Sequence, residues 1–273
     1  MFLGLLISTL GLLSCSSPFF LWAFLALGTL STIGYFKIFL PAHSLVLLFI
    51  CSVVGGLLFL VGSLHPTTYS SIPNIGLLLK LGLAPFHFWM LKIVVFVTEF
   101  SSFILLGLMK VGPLFLLCDG PSFSLVWGLL SFIVGLPVLF SCTCVNLVLL
   151  GSGLLQFWVL SALQATTFNF YLSSYLISLL LCCCAQTLQV SYLLAFLSLA
   201  GLPPFLFFVA KLSVLVSSPI LVCVLVLLVS ALRLFPYALF GSSHLVPFVS
   251  SPFSILGLVF IRFSSLSFVL PSH

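Results

Sequence analysis

Three lysines stand inside long apolar runs of this chain: Lys80, Lys110 and Lys211. An ammonium group at the centre of a membrane helix costs about 2.5–3.5 kcal/mol on insertion scales. Desolvation favours the neutral amine, which turns a buried lysine into a proton-exchange group. Taken singly, Lys80 can also be read as a side chain that snorkels its head to an interface. Three such lysines on separate segments point to a relay running along the membrane plane.

Two of the lysines accompany near-copies of one Gly-Pro motif. The first is Lys80-Leu-Gly-Leu-Ala-Pro85-Phe-His-Phe-Trp89, and the second is Leu199-Ala-Gly-Leu-Pro-Pro204-Phe-Leu-Phe-Phe-Val-Ala-Lys211. Gly82 and Pro85 recur as Gly201 and Pro204, with Phe86 matched by Phe205, at a constant offset of 119 residues. A lysine follows each proline by seven residues, Lys92 in the first copy and Lys211 in the second. A proline inside a membrane helix frees backbone groups that need new partners. Paired Gly/Pro-interrupted segments are a pointer to an ion path.

Glu99 heads the segment that carries Lys110. Eleven residues make about three helical turns, so an uninterrupted helix would put the two on one face, about 16 Å apart. Glu99 reads as a proton-path carboxylate or as a favourable charge at a helix N-terminus. His87, in Pro85-Phe-His-Phe-Trp89, is a possible relay group or a hydrogen-bonding structural residue.

The elements that must hold these residues follow from composition. The chain has 273 residues, of which 63% are hydrophobic and 3% charged; a soluble domain runs at about 45–50% apolar and about 25% charged. This is an integral membrane protein. Its runs are continuously apolar rather than alternating, which excludes a membrane barrel and predicts an all-α polytopic fold. Pro, Gly, Ser and Asn punctuation divides it into segments 1–14, 19–40, 43–64, 72–95, 100–118, 123–140, 143–163, 169–189, 190–210, 213–235 and 253–270, about 10–11 transmembrane helices in one domain, 1–273. Arg233 and Arg262, near segment ends, are expected to snorkel to the interface.

Other chemistries are absent from the sequence. The bases are too sparse and scattered for a nucleic-acid patch or a lipid-binding polybasic run, so no nucleic-acid partner is expected. The nine cysteines show neither CxxC pairs nor zinc spacing and read as small apolar fillers. No nucleotide loop, serine elbow or metal cluster appears. The chain opens Met-Phe-Leu-Gly-Leu-Leu, without a basic leader or a transit segment; insertion without a cleaved signal, or synthesis where the protein works, is expected. The 31 phenylalanines, with frequent Leu, Val, Cys and Ser, fit a T-rich coding strand such as that of a small organelle genome.

Leu79-Lys80-Leu-Gly-Leu-Ala-Pro85-Phe-His87-Phe-Trp89 resembles the signature of the subunit 2 family of NADH–ubiquinone oxidoreductase, respiratory complex I. Lys110-Val-Gly-Pro113 resembles that family's next lysine-and-proline helix, and Leu197-Ser-Leu-Ala-Gly-Leu-Pro203-Pro204 with Lys211 its second broken helix. The resemblance covers about 78–113 and 196–212. It implies an antiporter-like fold with inverted repeats and two broken helices, and a multi-pass place in the mitochondrial inner membrane. It implies proton translocation through Lys80, Lys110 and Lys211, with the other membrane-arm subunits of complex I as partners. NADH, FMN, iron–sulfur clusters and ubiquinone belong elsewhere in such a complex; this chain is expected to bind no cofactor and no metal. The family's early-helix glutamate follows a tryptophan; here the match, Trp22-Ala-Phe-Leu25-Ala26, carries alanine in its place. A Pro-Glu expected after the first motif is Leu91-Lys92. The alternatives are a stand-alone cation/proton antiporter of the same fold, or a structural membrane-arm subunit that has lost pumping.

Overall fold

The structure, a computed structural model, describes residues 2–64, 71–118, 125–140, 144–161, 165–184, 189–202, 205–217 and 220–243. The described residues are all-helical, with no strand among them. The chain divides into two compact units, Met1–Trp127 and Gly128–His273.

The first unit holds α1 (Phe2–Ser14), α2 (Pro18–Phe36), α3 (Ala42–Leu64), α4 (Ile72–Leu81), α5 (Phe88–Val94), α6 (Glu99–Phe103) and α7 (Met109–Cys118). A π-helical turn, Ile104–Leu108, joins α6 to α7 without interruption. Small residues bring the helices together, as they must where lipid offers no hydrophobic drive to association. Gly4, Ser8 and Gly11 of α1 meet Ser31, Gly28 and Phe24 of α2, an antiparallel crossing. The α3–α4 crossing is closer still: a Cβ on Gly76 would lie 2.6 Å from the Gly55 carbonyl oxygen, and one on Gly55 would lie 2.7 Å from the Gly76 oxygen.

Burial sorts these helices. Of the span Phe100–Leu117, 72% is buried, against 28% for Pro18–Phe36 and 33% for Ala42–Leu64. The helix carrying Lys110 is therefore the centre of the unit, and α2 and α3 form its rim. Leu30, Ile50 and Leu57 are exposed there, an apolar surface suited to lipid.

The second unit holds α8 (Leu125–Phe140, from Gly128 onward), α9 (Val145–Ser161), α10 (Ala165–Cys184), α11 (Gln189–Ala200), α12 (Leu206–Ser217) and α13 (Ile220–Ser243). Its core is aromatic: Phe168, Tyr171, Phe196, Phe207 and Tyr237 are all buried.

Four helices are long and apolar enough to cross a membrane, and five shorter apolar helices accompany them among the described residues. An all-α polytopic membrane protein results. The expected division at 210–213 is not where the chain turns: α12 runs through Lys211, and the helix boundary falls between Ser217 and Ile220. The cause is the second Gly-Pro break, which makes α11 end early at Ala200 and starts a new helix at Leu206. The expected segment 253–270, with Arg262, lies outside the described residues.

Candidate functional site

Both Gly-Pro motifs fold into the same local structure. Gly82 has φ 62° and Gly201 has φ 71°, the left-handed conformation that glycine adopts without a Cβ penalty. At the first break the Gly82 amide donates to the Leu79 carbonyl and the Leu83 amide to the Leu78 carbonyl, each at 3.2 Å. At the second, Gly201 donates to Ser198 at 3.0 Å and Leu202 to Leu197 at 3.3 Å. This is the Schellman ending of a helix, made twice at the 119-residue offset. It closes α4 and α11 inside apolar surroundings and satisfies carbonyls that would otherwise face lipid.

What caps the broken end differs between the copies. In the first unit Trp89 Nε1, on α5, donates to the Leu79 carbonyl at 3.0 Å and ties the two helix pieces together. In the second, the Lys211 ammonium donates to the Ala200 carbonyl at the end of α11. Lys211 also lies 5.3 Å from the Phe207 ring centroid. A cation suits a helix C-terminus, and the aromatic face adds to its attraction.

Lys80 precedes its break and reaches the other way. Its Cβ packs against Gly55, and its Nζ donates to the Leu25 carbonyl of α2 at 2.9 Å. The residue after Leu25 is Ala26, where the resemblance calls for a glutamate. The Lys80 nitrogen thus meets a backbone oxygen in the stretch from which an acid is missing.

A cavity of about 20 Å³ opens beside Lys80, enough for one water by the usual threshold of ~10–15 Å³. Ser8 and Thr9 of α1 and Thr29 of α2 line it. Each of these hydroxyls donates to a carbonyl three residues back, at 2.7–2.9 Å, which leaves its oxygen as an acceptor. Leu108, Met109, Gly112 and Pro113 complete the wall, flanking Lys110 on both sides along the chain. Pro113 lacks the amide that would bond the Met109 carbonyl within the helix. The π turn just before Lys110 adds a second irregularity, of a kind found often at functional sites.

The expected lysines are placed as follows. Lys80, Lys110 and Lys211 are 4%, 8% and 6% exposed, so none of the three snorkels to the surface of its unit. Lys37 and Lys92 are exposed. Lys92 and Lys211 therefore differ, although they hold equivalent positions in the repeat. Lys80 and the Lys110 segment meet around the cavity of the first unit; Lys211 belongs to the second. His87 is buried in the first break at the head of α5, with its Nδ1 unpartnered. Glu99 begins α6, as expected. The π turn takes up about one extra residue, so the backbone at Lys110 is rotated roughly 100° from the face that regular helix would give.

Arg233 is a correction. It does not reach an interface: it is 1% exposed, because α13 continues to Ser243 and leaves it inside the helix. The cavity hydroxyls and the Leu25 carbonyl were not foreseen either. Ser and Thr in apolar helices are common, and a backbone carbonyl has no sequence signature.

The chain is similar to proteins named NADH-ubiquinone oxidoreductase chain 2. The one from Branchiostoma lanceolatum is 30% identical over 147 residues, covering 50% of this chain and 40% of that protein. The one from Paradoxurus hermaphroditus is 36% identical over 81 residues, 28% of this chain and 23% of that protein. The one from Sylvisorex lunaris is 42% identical over 73 residues, 25% of this chain and 21% of that protein. The matches thus span 40% or less of the length of these relatives. No family model matches the chain.

Proposed function

We propose that this chain is a membrane-arm subunit of mitochondrial NADH:ubiquinone oxidoreductase, seated in the inner membrane as one antiporter-like domain. In this reading it translocates protons through Lys80, Lys110 and Lys211, driven by electron transfer from NADH to ubiquinone in neighbouring subunits. NADH, FMN, the iron–sulfur clusters and ubiquinone stay in those subunits, and this chain contributes no redox centre. The names of its relatives support the assignment to the complex.

The observation that supports proton transfer best is the setting of Lys80. It is a buried amine beside a helix break, hydrogen-bonded to one carbonyl, and next to a cavity walled by the helix of Lys110. A lysine so placed has N–H groups or a lone pair to spare for exchange. In this reading a proton passes stepwise between lysines, since charge on one disfavours charge on the next. His87 and Glu99 are secondary candidates for the same path.

Ala26 favours a second reading, a membrane-arm subunit in which pumping has been lost, since an acid partner for Lys80 is missing from that stretch. The first experiment separates gently solubilised source membranes on a native gel and sequences peptides from the band that oxidises NADH. The chain should lie in that band beside other membrane-arm subunits. A chain running alone or as a small oligomer, with ion exchange in liposomes, would replace this proposal by a free antiporter.

A further inference from the structure

The second unit contains a buried charge and no acidic side chain in its sequence. Arg233 is 1% exposed on α13, and its Nε and Nη2 have no hydrogen-bond partner. An arginine does not escape by losing its proton, as a lysine does. The acidic side chains of the chain are Glu99 and Asp119, both in the first unit, so the second has no aspartate or glutamate. Lys211 lies within electrostatic reach of Arg233, so a proton on Lys211 adds to the positive field there. A buried guanidinium without a counter-charge is strongly unfavourable.

The groups around Arg233 are phenols rather than acids. The Tyr171 hydroxyl of α10 accepts a hydrogen bond from Arg233, and Tyr175, four residues on along the same side of that helix, lies within electrostatic reach of it. The Tyr175 hydroxyl is buried and unpartnered. Arg233 and Tyr175 together offer N–H and O–H groups in low-dielectric surroundings, where a charge-assisted acceptor is held most strongly.

We infer that the second unit holds a small inorganic anion, chloride or an ion of its size and charge, bound by Arg233 with Tyr175. The near-complete enclosure of Arg233 favours a small ion over a lipid headgroup, whose acyl chains would have to leave through the same wall. The ion neutralises Arg233 and lessens the repulsion between Arg233 and Lys211. The inference does not depend on the oxidoreductase reading.

The test uses the full-length chain in membranes, heated in sodium chloride or in sodium gluconate at equal ionic strength. Loss of the folded chain is followed by protease resistance. Wild type should melt higher in chloride, by roughly 5 °C once the site is near saturation, with a saturable dependence that bromide reproduces. Arg233→Gln should abolish the difference between the salts and Tyr175→Phe should reduce it, while Lys92→Gln at the exposed lysine keeps it whole. Equal melting of wild type in both salts would overturn the inference. So would an undiminished chloride effect in Arg233→Gln, which would mark an adventitious ion only. If Arg233→Gln does not fold, full chloride dependence in Tyr175→Phe overturns it instead.

Discussion

Replacing Lys80 with methionine separates a proton carrier from a structural cation. Lys80 is 4% exposed and donates one hydrogen bond, to Leu25 at 2.9 Å. Methionine of similar length removes an insertion cost of about 2.5–3.5 kcal/mol and gives up a charged hydrogen bond of about 1.5–3 kcal/mol. These nearly cancel, so the amount of chain in the membrane should stay close to wild type. Proton transfer should not survive, because a positioned proton-transfer group contributes roughly 10²–10⁴-fold. The assay is acidification of inverted membrane vesicles per NADH oxidised, with the chain quantified by peptide mass spectrometry. Lys80→Arg sharpens the test: it keeps the charge and the bond to Leu25 but does not release its proton. If arginine restores pumping, or methionine leaves it intact, Lys80 is not a proton carrier. If methionine instead removes the chain from the membrane, the near-cancellation of the two energies is wrong.

Gly82→Ala should destabilise the first unit by about 1–2 kcal/mol for the left-handed backbone alone. Crowding adds to this, since a Cβ would meet Met90 at 3.0 Å and Trp89 at 3.2 Å; thermal melting in detergent reads the sum. Gly76→Ala should force α3 and α4 apart, since the new Cβ would lie 2.6 Å from the Gly55 carbonyl oxygen. At about 1–3 kcal/mol, the steady-state level in membranes should fall several-fold, as an immunoblot would show. Trp89→Phe removes the bond to Leu79 and should cost about 1 kcal/mol, with loss of protease resistance near the break as the readout. Lys92→Gln, at the exposed equivalent of Lys211, should change stability by less than about 0.5 kcal/mol and leave vesicle acidification unchanged.

The breaks were readable because they depend on local backbone chemistry. A Gly-Leu-x-Pro run inside an apolar segment has few ways to end one helix and begin another, and both copies take the same one. The equivalence of the two lysines that follow the breaks was misleading. Lys211 folds back onto its own broken helix end, while Trp89 occupies the corresponding carbonyl in the first unit and Lys92 points away from the core. That choice depends on which side chain reaches the carbonyl first in three dimensions. The π turn before Lys110 was likewise unreadable: Ile-Leu-Leu-Gly-Leu has no pattern that distinguishes hydrogen bonds spaced four residues apart from bonds spaced five apart. Arg233 looked like an interfacial residue because the helix was expected to stop at 235; its continuation to Ser243 reverses that conclusion.

By itself the sequence determined the class of protein, since 3% charge over 273 residues allows little but membrane helices. It also determined the three costly lysines and the two places where helices must break, because composition, desolvation and proline sterics act without regard to neighbours. Only the tertiary structure decided what each charge faces. Lys80 meets the Leu25 carbonyl beside Ala26, Lys211 the end of α11, and Arg233 a set of phenols. In apolar surroundings the partner of a charge governs what the charge can do, and partners here come from helices far apart in the chain.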